Sequence, residues 1–179
     1  MREKNELDIL IPVFNEDETI VKTIKNISSV VKCNYRILIC YDYDEDLTLK
    51  IIKKNFSQNS QIVFVKNFSK GFNNALISGF NNSTAEAVLV FMADDHTNHG
   101  MINSCYAKFK EGYHVVCPSR FVKGGKMIGN SLLKGLLTKM ASFFLFNFTS
   151  FPIKDPTNSF RLFPKELIDK VNIESNKGF

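Results

Sequence analysis

With 179 residues, 44% of them hydrophobic and 23% charged, the chain has the composition of an ordinary globular protein and the length of one domain with a sizeable core. A net charge of +5 and a pI near 9.0 come from scattered residues, with no basic tail. That balance suits an anionic ligand, a membrane surface or nucleic acid, and selects none of them.

The first residues pass from MREKNE directly into a short apolar run, without the apolar core of a signal peptide. Four cysteines, at 33, 40, 105 and 117, lack C-x-x-C spacing, and Cys40 and Cys117 fall in apolar runs. They read as reduced core thiols of a cytosolic protein.

Leu7 to Val13 is a first buried strand, followed by Phe14-Asn15-Glu16-Asp17. Ile20, Ile24, Ile27 and Val31 then recur at helical spacing, with Asn15 or Asp17 as candidate cap. Tyr35 to Tyr41 is a second strand, ending in the acidic cluster Asp42, Asp44, Glu45 and Asp46. A short helix over 47–53, a strand over 61–65 and a helix over 72–80 follow, the last opened by Lys70-Gly71. Val88 to Met92 is a continuous apolar run, as in a strand buried on both faces, and it runs through Ala93 into Asp94-Asp95. A helix over 101–109 and a fifth strand over 113–117 complete the alternation.

Strand–helix alternation predicts βαβ units and a doubly wound, Rossmann-like α/β fold. Its parallel strands would place Asn15-Glu16, Asp42 to Asp46 and Asp94-Asp95 on one edge, where such sheets bind ligands. Adjacent carboxylates there suit a hard divalent cation that also holds substrate phosphates. The plain alternative is that Asp94 and Asp95 are turn residues that cap the next helix. Arg120, Lys123, Lys126 and Arg161 are the basic residues available to balance a diphosphate.

Residues 118–129 are basic, Gly-rich and aperiodic, as in a loop. Residues 131–151 are dense in apolar side chains but interrupted by Lys134, Lys139 and Asn147. That is too broken for a spanning helix of about 20 apolar residues. It fits a helix packed on the domain or lying in a membrane interface. Asp155-Pro156-Thr157-Asn158 is a turn, Ser159 to Phe163 alternates like a strand, and Pro164 opens a helix.

Six segments in order resemble the inverting family 2 glycosyltransferases of GT-A fold, most closely the polyprenyl-phosphate branch typified by dolichyl-phosphate mannosyltransferase. They are IPVFNE (11–16), DYDEDLT (42–48), NFSKGFNNALISGF (67–80), FMADDHTN (91–98), PSRF (118–121) and DPTNSFRLFPKEL (155–167). The resemblance implies that Pro12, Phe14, Asn15 and Glu16 line the nucleotide pocket, that Asp42 contacts the base, and that Lys70 and Gly71 lie near the nucleotide. It implies Mg²⁺ or Mn²⁺ on Asp94 and Asp95, the latter matching the second Asp of D-x-D. Arg120, Ser159 and Arg161 would face the acceptor phosphate and the sugar diphosphate, with Asp95, Arg120 and Arg161 carrying catalysis.

The implied partners are a nucleoside-diphosphate sugar and a polyprenyl-phosphate lipid, not nucleic acid. Peripheral contact through 131–151 would hold a single catalytic domain at the cytoplasmic face of a membrane. The chain departs from the pattern at Ala93, where the first Asp of D-x-D is usual, and at Thr97, Tyr41 and Tyr43. It stops at a Gly-Phe pair that in the family introduces further acceptor-site segments, which gives the expectation of a truncated domain. A catalytically weakened nucleotide-sugar-binding domain and a transferase with a sugar acceptor are the alternatives. The absence of G-x-G-x-x-G after the first strand argues against a dinucleotide oxidoreductase.

Overall fold

The structure, a computed structural model, describes residues 5–125 and 132–174. Lys126, Ser131 and the closing Gly178-Phe179 lie outside the described residues. Elements in chain order are β1 (Leu7–Pro12), α1 (Thr19–Val30), β2 (Tyr35–Tyr41), α2 (Leu47–Asn55), β3 (Ile62–Lys66), α3 (Phe72–Asn82), β4 (Ala87–Val90), a 3₁₀ turn (His99–Met101), α4 (Ile102–Lys110), α5 (Leu132–Phe148), β5 (Arg161–Pro164) and α6 (Lys165–Lys170). The strands form one sheet in the order β3-β2-β1-β4-β5. The first four are parallel, and β5 runs antiparallel to β4.

Period-two alternation of side chains divides the core between two faces. Ile9 and Ile11 of β1 meet Ile20, Ile24 and Ile27 of α1, together with Leu49, Ile52 and Ile102 of α2 and α4. Leu10, Leu38, Cys40 and Val88 point the other way and meet Ala75 and Phe80 of α3, with Phe163 and Ile168 against them. The first strand also buries a charge. Asp8 is fully buried and accepts from the Arg36 guanidinium at 2.7 and 2.8 Å, the Ser83 hydroxyl at 2.7 Å and the Thr84 and Ala85 amides. Burial pushes the Cys40 and Cys105 thiols up to about 12, so both are inert core groups, as their apolar surroundings require.

One expected strand is not formed. Residues 113–117 make only a single bridge, Val116 to Leu162, and Tyr113 and Val115 are exposed. The fifth strand is instead Arg161–Pro164, inserted between β4 and that bridge. The alternating segment 159–163 takes the β4 edge, and 113–117 is left beyond it. Asp17, rather than Asn15, accepts from Thr19 N at 2.7 Å at the start of α1. Helix α5 forms where expected but buries little. Leu133, Leu136, Leu137, Met140, Phe143, Phe144 and Phe148 are exposed, and among its described side chains only Ser142 is buried. No helix of the described residues is long and apolar enough to cross a membrane.

Gly79 sets how close α3 comes to the sheet. A Cβ there would lie 2.3 Å from Leu10 Cδ1 and 2.9 Å from Cys40 Sγ. Gly79→Ala is expected to lower stability by about 1–2 kcal/mol, because overpacking outweighs the better helix propensity of alanine. A urea titration would read this as a lower midpoint at unchanged slope, and a raised midpoint would refute the close-packing argument.

Candidate functional site

Two loops of the carboxyl edge are tied by one carboxylate. Asp46, fully buried at the start of α2, accepts the Asn15 amide at 3.0 and 3.2 Å and the Thr48 amide at 2.8 Å. The Glu16 amide donates to Thr48 Oγ1 at 2.8 Å. The chain can turn this way because Asn15 takes φ 51°, a left-handed conformation that asparagine tolerates. Pro12 is buried at the end of β1. Phe14 is exposed and meets Tyr43 edge-to-face at 5.8 Å, and the Asn15 side-chain amide donates to the Tyr43 hydroxyl. Phe14, Asn15 and Tyr43 thus form one exposed wall.

Asp42 accepts from Asn67 Nδ2 at 2.8 Å and from the Gly71 amide at 3.1 Å. It thereby holds the start of α3, where Gly71 adopts φ 103° and Lys70 is exposed. Asp95 likewise turns inward on its own loop. Its Oδ1 accepts the Thr97 and Asn98 amides at 3.0 and 2.9 Å, and its Oδ2 accepts Asn98 Nδ2 at 2.7 Å. Asp95 is therefore a turn residue of its own loop, while neither the 3₁₀ turn at His99–Met101 nor α4 has a side-chain cap. Asp94 is exposed, and its carboxylate takes no hydrogen bond among the described residues. It lies near Glu16. Burial, and then the Asp94 charge, raise the Glu16 carboxyl above its ordinary value.

Among the described residues no three His, Cys, Asp or Glu side chains form a ready-made metal cage. Hard cations such as Mg²⁺ are often held by one or two carboxylates plus substrate phosphates. The free Asp94, with Glu16 close by, fits an ion that arrives with a diphosphate better than a resident one.

The two arginines differ. Arg120 forms a two-pronged pair with Asp155, Nε to Oδ2 at 2.8 Å and an NH2 to Oδ1 at 2.7 Å, and its own amide also donates to Asp155. Burial raises the Asp155 carboxyl, but the Arg120 bonds outweigh it and leave Asp155 below the ordinary range. Arg161 donates one NH2 to the Pro156 carbonyl, while its buried Nε has no partner. It opens on a cavity of about 410 Å³ between α3 and β5. Phe72, Leu76, Phe80 and Phe163 supply the apolar walls, and Thr157 and Ser159 sit at the polar side. Ser159 and Arg161 thus share a cavity, whereas Arg120 spends its fork on Asp155. Lys123 is exposed. Asp155 and Asp46 fall within two of the family segments, DPTNSFRLFPKEL and DYDEDLT, but nothing in the sequence shows what they bond to. Their partners lie 35 and 31 residues away, beyond any local pattern.

This mostly parallel sheet, with helices on both faces and loops gathered at its carboxyl edge, is a GT-A glycosyltransferase fold. Solved structures share it. Glucosyl-3-phosphoglycerate synthase from Mycobacterium tuberculosis, solved with Mn²⁺, UDP and glucosyl-3-phosphoglycerate, superposes with a TM-score of 0.61 at 16% identity, over 91% of this chain and 58% of that one. TarS 1–349 of S. aureus gives a TM-score of 0.64 at 15% identity, over 92% and 48%. At such identities these two comparisons speak for the fold alone.

The family model described as Glycosyl transferase family 2 matches residues 8–171, and the chain belongs to that family. Among curated relatives, dolichol-phosphate mannosyltransferase of Pyrococcus furiosus is 26% identical over 172 residues, 93% of this chain and 48% of the relative. Undecaprenyl-phosphate 4-deoxy-4-formamido-L-arabinose transferase of Proteus mirabilis is 28% identical over 118 residues, 63% of this chain and 36% of the relative. The chain spans about half the length, or less, of the curated relatives it matches.

Asp46→Ala would leave the Asn15 and Thr48 amides without their acceptor. The expected loss is about 2–4 kcal/mol of stability, at about 1–3 kcal/mol per unsatisfied buried group. Chemical denaturation measures it, and a loss below about 0.5 kcal/mol would show that water replaces the carboxylate.

Proposed function

We propose that this chain is the single catalytic domain of an inverting glycosyltransferase that moves a sugar from a nucleoside diphosphate to a polyprenyl phosphate. The observation that carries the acceptor half is the cavity at Arg161. A buried guanidinium nitrogen without a partner wants an anion, and the aromatic and aliphatic walls beside it want an apolar chain. A lipid phosphate has both parts. The family membership supports the donor half, and the two relatives named for polyprenyl-phosphate chemistry support the acceptor class.

In this reading Phe14, Asn15 and Tyr43 meet the nucleotide, with Asp42, Lys70 and Gly71 at the opposite lip. Asp94, assisted by Asp95, would hold Mg²⁺ or Mn²⁺ with the diphosphate, and the ion would supply charge neutralisation for the departing nucleotide. An oxygen of the lipid phosphate bonds to the anomeric carbon as the bond to the diphosphate breaks, which inverts that carbon. The phosphate is already anionic, so no strong general base is required, and the protein contributes position and charge. Arg161 and Ser159 orient the attacking phosphate. Arg120 shapes the neighbouring loop through Asp155 and completes the basic side of the site.

The exposed apolar face of α5 fits a helix lying in a membrane interface, which would keep the domain at the cytoplasmic surface where its lipid resides. Lys139 is exposed on the same helix, and Lys154 stacks over Phe146 at 5.5 Å, so cationic heads lie near its apolar side chains.

The test is transfer from labelled UDP-, GDP- and CDP-sugars to a short polyprenyl phosphate in the presence of Mn²⁺. Arg161→Gln is expected to cut turnover on the order of 10²-fold while leaving thermal protection by the matching nucleotide intact. Protection without transfer to any acceptor would favour the weakened, binding-only domain that Ala93 raises. Transfer to a free sugar but not to the lipid phosphate would overturn the acceptor assignment.

A further inference from the structure

The loop that carries Asp94 and Asp95 is fastened to α1 by one side chain. Thr23, fully buried in α1, places its hydroxyl 2.7 Å from the carbonyl oxygen of Ala93 and 3.2 Å from Nδ1 of His96. A carbonyl oxygen only accepts, so the one hydroxyl proton is committed to Ala93. What the Thr23 oxygen then offers His96 is lone-pair density, and only an Nδ1–H can satisfy it. A neutral imidazole carries a single N–H. Nε2 is therefore the bare nitrogen.

We propose that Thr23 is a positioning residue. Its hydroxyl fixes both ends of the turn Ala93–His96, the segment that holds Asp94 and Asp95, and it locks His96 as the Nδ1–H tautomer. Ala93 leaves this turn without the carboxylate usual at that position, so its shape depends on main-chain and side-chain hydrogen bonds. Thr23 holds the turn's two ends, Ala93 and His96, and Asp95 holds the residues that follow, Thr97 and Asn98. The consequence for ligand binding rests on the reading that this turn meets the donor diphosphate.

Two readouts separate the parts. Long-range ¹H–¹⁵N correlation of the ¹⁵N-labelled protein, about two pH units above the ordinary histidine value of ~6.5, reports each histidine tautomer directly. His96 is expected as Nδ1–H in the wild type and in Thr23→Ser. In Thr23→Val, which keeps the shape and removes the hydroxyl, it should lose that signature. Mn²⁺-dependent binding of the nucleotide that protects the wild type is expected to weaken about tenfold in Thr23→Val and recover in Thr23→Ser. An Nε2–H signal for His96 in the wild type, or an unchanged tautomer in Thr23→Val, would overturn the clamp. A clamp signature that responds as expected, with equal nucleotide binding in wild type and Thr23→Val, would overturn the positioning role. A clamp signature in a wild type that binds no nucleotide upholds the clamp and defeats the proposed donor site instead.

Discussion

The bond between the Asp46 carboxylate and the Asn15 amide is the constraint from which the carboxyl edge is built. Parallel strands end together, and each end leaves main-chain amides that no ladder satisfies. Asp46 supplies acceptors to two such loops at once, because it caps α2 through Thr48 while reaching back to Asn15. The left-handed turn at Asn15 exists in the context of that bond, and Phe14 and Glu16 flank it. Asp42 does the same for Gly71 at the next loop, and Asp95 for Thr97 and Asn98. The acidic character of this edge is in large part the price of folding three loops side by side. Among the described residues of this edge, the Asp94 carboxylate is one left without a hydrogen bond, and its charge acts on Glu16 nearby. An acidic edge is thus weak evidence for a metal until the carboxylates occupied by amides have been set aside.

Much of the fold was legible because its signals are local. Ile20, Ile24 and Ile27 announce α1 by spacing alone, and the apolar runs of β1, β2 and β4 announce strands buried on both faces. Of the two short segments read as strands, 159–163 pairs with β4 as Arg161–Pro164, whereas 113–117 lies on the far side of that strand and is left a single bridge at Val116. The buried Asp8 shows a second limit. It sits inside an apolar run and looks like an interruption, yet it gathers Arg36, Ser83 and two amides from 28 to 77 residues away. Thr23 is similar, since its partners are 70 and 73 residues distant. Position along the chain carries no trace of such pairs.

The resemblance to family motifs reached further than periodicity, but it treated residues of one motif as equals. Arg120 and Arg161 illustrate the cost. Both were expected to face phosphate, and each keeps a guanidinium near the same loop. Arg120 commits Nε and one NH2 to a two-pronged pair with a buried carboxylate, the edge that would otherwise grip a ligand bidentately. Breaking that pair to bind a phosphate would strand the Asp155 charge in the interior, a loss comparable to the gain. Arg161 has no such competitor at Nε. The proposed reading accordingly gives the attacking phosphate to Arg161 and leaves Arg120 on the basic side of the site, paired with Asp155.

The same reasoning separates the polar and apolar halves of the site. Cavity walls from α3 and β5 are apolar because they continue the core on that side of the sheet, where Phe80 and Phe163 meet edge-to-face at 5.8 Å. On the other side, Phe91 packs on Phe160 at 5.4 Å and closes the core beneath the loop that holds Arg161. The carboxylates instead crowd the ends of β1, β2 and β4, where amides need acceptors. Under the proposed reading, the anionic end of the acceptor lies at Arg161 and its chain along the apolar walls, away from the carboxylates. A freely soluble sugar acceptor would leave the aromatic walls wet, and apolar area left in water forgoes about 25 cal/mol for each Å². That asymmetry, more than any single motif, is what favours a lipid phosphate over a free sugar in the proposed reading.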